Sequence, residues 1–213
     1  MENIWNDSKS KFDELFGDLK FDKNGWGYEK LNDLCDVRDG THESPKYIIN
    51  GRYPLLTSQN FTKGFMDLTK INYISKHDFD SINLRSKVDV GDIVMPMIGT
   101  VGSPVIIEEN IEFAIKNLAL IKFNGSKTRP EYIRYILDSD YFKNIVLSNN
   151  RGSNRMFVSL GDLRELPILM APYDLQNEFS IYASKYDKLK FDAQQQITLL
   201  ENEREKLIEE EYK

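Results

Sequence analysis

A heptad stripe runs through residues 174–207, at Leu175, Phe179, Tyr182, Tyr186, Leu189, Ala193, Gln196, Leu200, Glu203 and Leu207. Its steps alternate four and three without a break, the period of a coiled-coil seam. A helix from Asp174 to Glu211 would be about 57 Å long at about 1.5 Å per residue. A helix of that length cannot bury its own stripe, so the pattern demands a second helix. Phe179, Tyr182, Tyr186, Leu189, Ala193, Gln196, Leu200 and Leu207 are the expected dimer-interface residues. Gln196 and Glu203 are polar interruptions. Either they fix register and orientation, or the helix turns its stripe slightly and uses Ile197 and Ile208 instead.

Ahead of this helix lies enough apolar material for a folded domain. Hydrophobic residues make up 40% of the 213 and aromatics 12%. The single cysteine, Cys35, excludes an internal disulfide framework and a thiolate metal cluster, and its setting in LNDLCDV reads as a buried structural thiol. His42 and His77 lack metal-ligand spacing, so no metal site is expected. No stretch approaches the roughly 18 apolar residues of a membrane helix. The first residues, MENIWNDSKSKFDELFGD, are polar and acidic, unlike a signal peptide. A cytoplasmic chain with no membrane role is expected.

The net charge of −6 is unevenly placed. Residues 174–213 hold ten acids against six bases, and residues 1–24 six against four. Residues 25–173 are balanced at eighteen of each. A neutral domain can still turn a basic face to phosphate, so charge alone decides nothing.

Three sections follow. Residues 1–24, with Trp5, Phe12, Phe16 and Phe21, read as a short helix and lead-in. Residues 25–173 read as strands with inserted helices. YPLLTS, KINYIS, DIVMPMIG, PVIIE and FAIKNLALIKF are β-branched or apolar runs bounded by Gly, Asn, Asp or Pro. GDIVMPMIGTVGSPVIIEE predicts two strands reversing around Gly99 to Gly102, and Pro96 predicts an edge strand or bulge. Pro130 opens one helix through EYIRYILDSDYFKNIVLSNN, with Ile133, Ile136, Leu137, Phe142, Ile145 and Val146 inward. Ser159 caps a short helix that Pro167 closes. The class is α+β: a mixed domain over 25–173, then a coiled-coil helix over 174–213.

Catalytic patterns are absent. The glycines at 25 and 27 precede a strand rather than follow one, so they do not form a nucleotide-binding turn. Ala171–Pro172–Tyr173 lacks the polar first residue that an amino-methyltransferase loop uses to hold its target amine. Glu203, Glu205 and Lys206 have a nuclease-like composition but fall on the coiled-coil surface. Neither histidine has a nearby nucleophile in a hydrolase motif.

The order of several segments resembles the DNA specificity subunits of type I restriction–modification systems. FGD followed by NGW (16–18 and 24–26), DGTHESPKY (39–47), PLLTSQNFTKGF (54–65), YIS (73–75), RSKVDVGDIVMPMIGTVG (85–102), FAIKNLALIKF (113–123) and RGSNRMFVSLGDLRELPILMAPYDLQNEF (151–179) carry the likeness. It covers nearly the whole chain as one target-recognition domain and one helical spacer. Family members usually carry two of each, so the resemblance implies a half-subunit that rebuilds the whole by homodimerising. It also implies a non-catalytic chain that binds double-stranded DNA and positions methyltransferase subunits, with a motor and nuclease subunit joining for cleavage. No cofactor is then expected here; S-adenosylmethionine, ATP and Mg would belong to the partner subunits.

On that reading, amide, hydroxyl and arginine side chains are the candidate readers, since Asn and Gln pair with adenine and Arg with guanine. Thr57, Ser58, Gln59 and Asn60 form one candidate cluster, with ordinary turn chemistry as the alternative. Arg151, Ser153, Asn154 and Arg155 form a second, with Gly152 allowing close approach. Thr41 and His42, in the Asp39–Gly40 turn, form a third and weaker candidate: as a turn it needs no function, and Asp39 would repel phosphate unless it accepts from cytosine. Lys116 and Asn117 interrupt an apolar strand, so at least one faces outward. Lys46, Lys63, Arg85 and Lys87 are candidate phosphate contacts or plain surface. The alternatives are a recognition module of another restriction–modification class, a coiled-coil adaptor without a DNA role, and an independent enzyme.

Overall fold

The computed structural model describes residues 2–61, 64–98, 102–149 and 157–211. In chain order they form α1 (Glu2–Phe16), β1 (Tyr28–Lys30), α2 (Leu31–Leu34), β2 (Asp36–Asp39), β3 (Tyr53–Leu56), β4 (Asn72–Ile74) and α3 (Lys76–Ser86). Then follow β5 (Ile93–Pro96), β6 (Val105–Ile106), β7 (Ala114–Ile115), β8 (Leu118–Lys122), α4 (Pro130–Asp138), α5 (Asp140–Asn149), α6 (Leu160–Arg164), β9 (Pro167–Leu169) and α7 (Tyr173–Glu211). The α+β class and the long closing helix are as expected from the sequence.

The central sheet is antiparallel, in the order β2-β8-β5-β6. Both of its faces are covered, so β5 and β8 read as unbroken apolar runs. Ile93, Met95, Ala119 and Ile121 turn to a core shared with the helices. Val94, Leu118 and Leu120 turn to a second core with Leu56, Phe61, Phe113 and Ile115. A smaller sheet, β4-β3-β7, is covered by α3 through Phe79 and Ile74.

Several expectations are corrected. The run FAIKNLALIKF is not one strand: β7 pairs in parallel with β3, whereas β8 pairs with β2 and β5. The break falls at Asn117, whose φ of 54° turns the chain from one sheet to the other. Asparagine tolerates that left-handed geometry better than most side chains. Pro96 lies on an inner strand, not an edge strand. It is accommodated because β6 pairs with Ile93 and Val94 alone, so among the described residues no strand on that side needs an amide from Pro96. The helix after Arg129 is two helices, because Ser139 is extended and its hydroxyl donates to the Ile136 carbonyl. The short helix expected within residues 1–24 is α1, and Phe12, Phe16 and Leu19 of this segment are buried in the main core.

Pro130 does stand in the first turn of α4, and the Ser159 hydroxyl accepts from the Asp162 amide at the start of α6. Pro167 opens β9. Cys35 is buried, and burial pushes its thiol up to about 11. Among the described residues no helix is long and apolar enough to cross a membrane.

Candidate nucleic-acid interface

The polar segments are brought together at one end of the two sheets. Strand β2 delivers Asp39, and the next residue, Gly40, passes so close to β7 that a Cβ would lie 2.3 Å from the Ile115 carbonyl oxygen. Only glycine fits that crossing. Thr41 then bonds across: its amide donates to Ile115 at 3.0 Å, and its carbonyl accepts from Asn117 at 3.1 Å. The Lys116 amide donates to Leu56, the last residue of β3, at 3.0 Å. Three connections, after β2, after β3 and between β7 and β8, are thus tied by backbone hydrogen bonds into one platform.

A cross-linked cluster of side chains stands on that platform. The His42 ring lies between Asp39 Oδ2, at 2.7 Å from Nε2, and Asn117 Oδ1, at 2.8 Å from Nδ1. Both ring nitrogens face oxygens, an arrangement that the doubly protonated imidazolium satisfies by donating twice. The Asn117 contact first, and Asp39 second, raise the His42 pKa above the ordinary histidine value, while the Arg85 charge opposes the rise. Arg85, in the last turn of α3, donates from Nη2 to the other Asp39 oxygen. Lys116 Nζ donates to the Ser44 hydroxyl at 2.6 Å. A cleft of about 450 Å³ opens between the loop after β2 and α3, with Thr41, His42 and Ser44 on one side and Ser81 and Arg85 on the other.

Thr41, His42, Lys116 and Asn117 thus share one site, although 75 residues separate His42 from Asn117. The Thr57–Asn60 cluster divides. Asn60 is buried, and its amide is consumed: Oδ1 accepts from the Thr57 amide, and Nδ2 donates to the carbonyls of Asp67 and Lys70. It braces the loop and has no hydrogen-bonding edge left to read a base. The turn-chemistry alternative holds for Thr57 and Asn60. Ser58 is half-buried, and Gln59 alone of the four is exposed. Arg151, Gly152, Ser153, Asn154, Arg155 and Lys63 lie outside the described residues. Lys46 is exposed, and Lys87 is exposed with its ammonium 3.7 Å from Asp89.

Two members of the cluster differ from what their sequence setting suggests. Asp39 does not present a bare charge, because both of its oxygens are taken by Arg85 and His42 and its side chain is 13% exposed. Arg85 is joined to it across 46 residues, a pairing with no local signal in either segment.

The expected seam divides too. Phe179 is fully buried within its own chain, so it cannot serve as a dimer contact. Tyr182 and Tyr186 are half-buried with ring centroids 4.6 Å apart. Ala193 is half-buried, whereas Leu189, Gln196, Leu200 and Leu207 are exposed.

No family model matches the chain. It is 27% identical over 183 residues to the MjaX type I restriction enzyme specificity subunit named in Methanocaldococcus jannaschii, which covers 82% of this chain and 42% of that protein. The chain therefore spans less than half the length of this curated relative. Its fold is similar to the crystal structure of the HsdS subunit from Thermoanaerobacter tengcongensis, with a TM-score of 0.62 and 16% identity over 88% of this chain and 44% of that one. The S subunit of the type I restriction–modification system of M. genitalium matches with a TM-score of 0.57 and 12% identity, over 92% of this chain and 50% of that one. The resemblance seen in the sequence motifs is thus met by a curated relative and by solved folds of the same kind.

Proposed function

We propose that this chain recognises one half of a bipartite DNA target and holds it for methyltransferase subunits that supply S-adenosylmethionine and the transfer chemistry. The observation that carries the reading is the convergence of Thr41, His42, Lys116 and Asn117 on one platform, in a fold similar to specificity subunits. Amide, imidazole and ammonium donors at the tips of a rigid sheet end suit hydrogen bonding to base edges and phosphates. Gln59 stands at the end of the neighbouring β3 loop with its side chain exposed. Chemistry on the adenine requires the base to leave the stack, and on this reading that is the partner enzyme's task. A motor and nuclease subunit that uses ATP and Mg would join the same assembly for cleavage.

The far half of α7 supplies the other part of the proposal. Leu189, Leu200, Leu207 and Ile208 are exposed on a helix that has already left the domain. An antiparallel helix from a second copy would cover them and set two recognition domains a fixed distance apart. Two identical domains related by a two-fold axis would read an interrupted palindrome.

The test is a methylome. The chain is expressed with its methyltransferase subunit in a host, and N6-methyladenine is mapped by sequencing. A bipartite palindrome with a fixed gap is the expected result. If an assembled complex produces no new sequence-specific methylation, the DNA reading is wrong and an adaptor role takes its place.

A further inference from the structure

Asn117 stands where the chain changes sheets, and one end of its side chain is open. Its backbone is held at a φ of 54°, with its amide donating to the Thr41 carbonyl at 3.1 Å. Its side-chain Oδ1 lies 2.8 Å from His42 Nδ1, whereas among the described residues Nδ2 makes no hydrogen bond. We propose that the imidazolium form of His42 is the positioning residue for Asn117, holding the amide so that the Nδ2 donor is the end offered to an acceptor atom of a base. This rests on the DNA-recognition reading above.

An ionised Asp39 carboxylate only accepts, and it stands 2.7 Å from His42 Nε2 with its other oxygen taken by Arg85. A neutral His42 carries one proton, which the carboxylate keeps at Nε2. Nδ1 is then a bare acceptor facing Asn117, and an amide oxygen opposite it is repelled. The amide turns over, Nδ2 donates to the ring, and Oδ1 becomes the open end. The proton on His42 thus decides whether Asn117 shows a donor or an acceptor. The groups facing the ring are Asn117 from the β7–β8 connection and Asp39 from β2, which favour the proton, and Arg85 from α3, which opposes it. Glu43 and Asp78 line the same cleft, and Lys116 is tied to Ser44 beside Asn117. The His42 side chain is 63% exposed, so its proton exchanges with solvent. In the major groove a single donor finds a partner in purine N7, guanine O6 or thymine O4, but cytosine shows it only the N4 amine.

The test measures DNA binding by the complex of the full chain with its methyltransferase subunit. If the wild-type complex shows no target at all, the DNA reading fails and this inference with it. Given a target, its acceptor atoms are deleted one at a time, with 7-deazapurines for N7, 2-aminopurine for guanine O6 and 5-methyl-2-pyrimidinone for thymine O4. At one position the deletion is expected to weaken wild-type binding about 2-fold to 10-fold and to leave binding by Asn117→Gly and Asn117→Asp unchanged. Glycine takes the positive φ without strain, and aspartate keeps the acceptor for His42 but lacks the donor. The wild-type sensitivity should be full near about pH 6 and fade toward about pH 9, because the positioning holds while His42 is protonated and is lost as pH rises through its raised pKa. His42→Ala should abolish this pH course.

Three results overturn the assignment and leave the DNA reading standing. A sensitivity that stays flat across the pH range in wild type means that His42 does not set the amide. A sensitivity that appears only at high pH means that the open end is the carbonyl. A uniform loss in Asn117→Gly across sequences, with no acceptor deletion mattering, makes Asn117 a phosphate contact. If the Asn117 variants do not assemble, the pH courses of wild type and His42→Ala on the acceptor-deleted duplexes decide.

Discussion

Helix α7 is continuous from Tyr173 to Glu211, yet its two halves live in different surroundings. The near half is part of the domain: it packs on α1 and α4, and Phe179 meets Phe12, Phe16 and Tyr135 at ring centroid distances of 5.1, 5.7 and 4.9 Å. Polar ties flank this aromatic knot, from Arg134 to Asp187 at 2.7 Å and from Arg129 to Ser180 at 3.2 Å. Among the described residues the far half has no such cover, and Leu199, Leu200 and Leu207 are each 59–65% exposed. A heptad pattern states that a helix needs a partner. It does not state that the same partner serves along its whole length. Here the chain itself supplies one for the first turns, and the leucines of the later turns stay exposed among the described residues.

The comparison is broken most severely at Phe179. Truncation to alanine removes a fully buried ring from the point where three helices meet, and buried Phe→Ala changes cost about 3–5 kcal/mol. Phe179→Ala should therefore lower the unfolding free energy by that amount, measured by urea denaturation of the isolated chain. A loss below about 0.5 kcal/mol would mean that the near half is docked far more loosely than the aromatic contacts require.

Much of this architecture was legible because its signals are local. Pro130 and Ser159 announce helix starts by chemistry that acts within a few residues, and the heptads of α7 need only counting. Other features depend on what a segment meets. FAIKNLALIKF has uniform strand composition, and only the geometry of two sheets explains why it changes sheet at Asn117. The site was half legible for the same reason. Thr41, His42, Lys116 and Asn117 stood out as polar residues beside apolar runs, but their union with Asp39 and Arg85 spans 46 to 75 residues of chain. Asn60 misled in the opposite sense: an amide in a polar loop has the same letters whether it faces solvent or braces the loop.

A subtler break lies at Gln176, one turn before Phe179. This amide is buried, with Oε1 accepting from the Thr128 hydroxyl at 2.7 Å and the Arg129 amide at 3.1 Å, and Nε2 donating to the Ala171 carbonyl at 2.8 Å. It joins the lead-in of α7 to the start of α4. Gln176→Ala would strand two donors and a carbonyl in a dry setting, at a cost of roughly 1–3 kcal/mol. The same denaturation series should rank it below Phe179→Ala. A Gln176→Ala chain as stable as wild type would place water or a shifted side chain at the junction.

The far half sharpens the comparison by doing little to the chain alone. Leu189, Leu200 and Leu207 are each more than half exposed in the chain, so changing them to serine should alter its unfolding at high dilution by no more than about 0.5 kcal/mol per site. Their effect on association should be opposite in scale, because an antiparallel partner helix would bury the same three side chains from both copies. Sedimentation at rising concentration separates the two quantities: wild type should shift toward a dimer while the triple serine variant stays monomeric with an unchanged melting curve. A variant that still dimerises would move the pairing surface off this stripe. A variant that melts much earlier as a monomer would show that the far half, like the near half, is covered by its own chain.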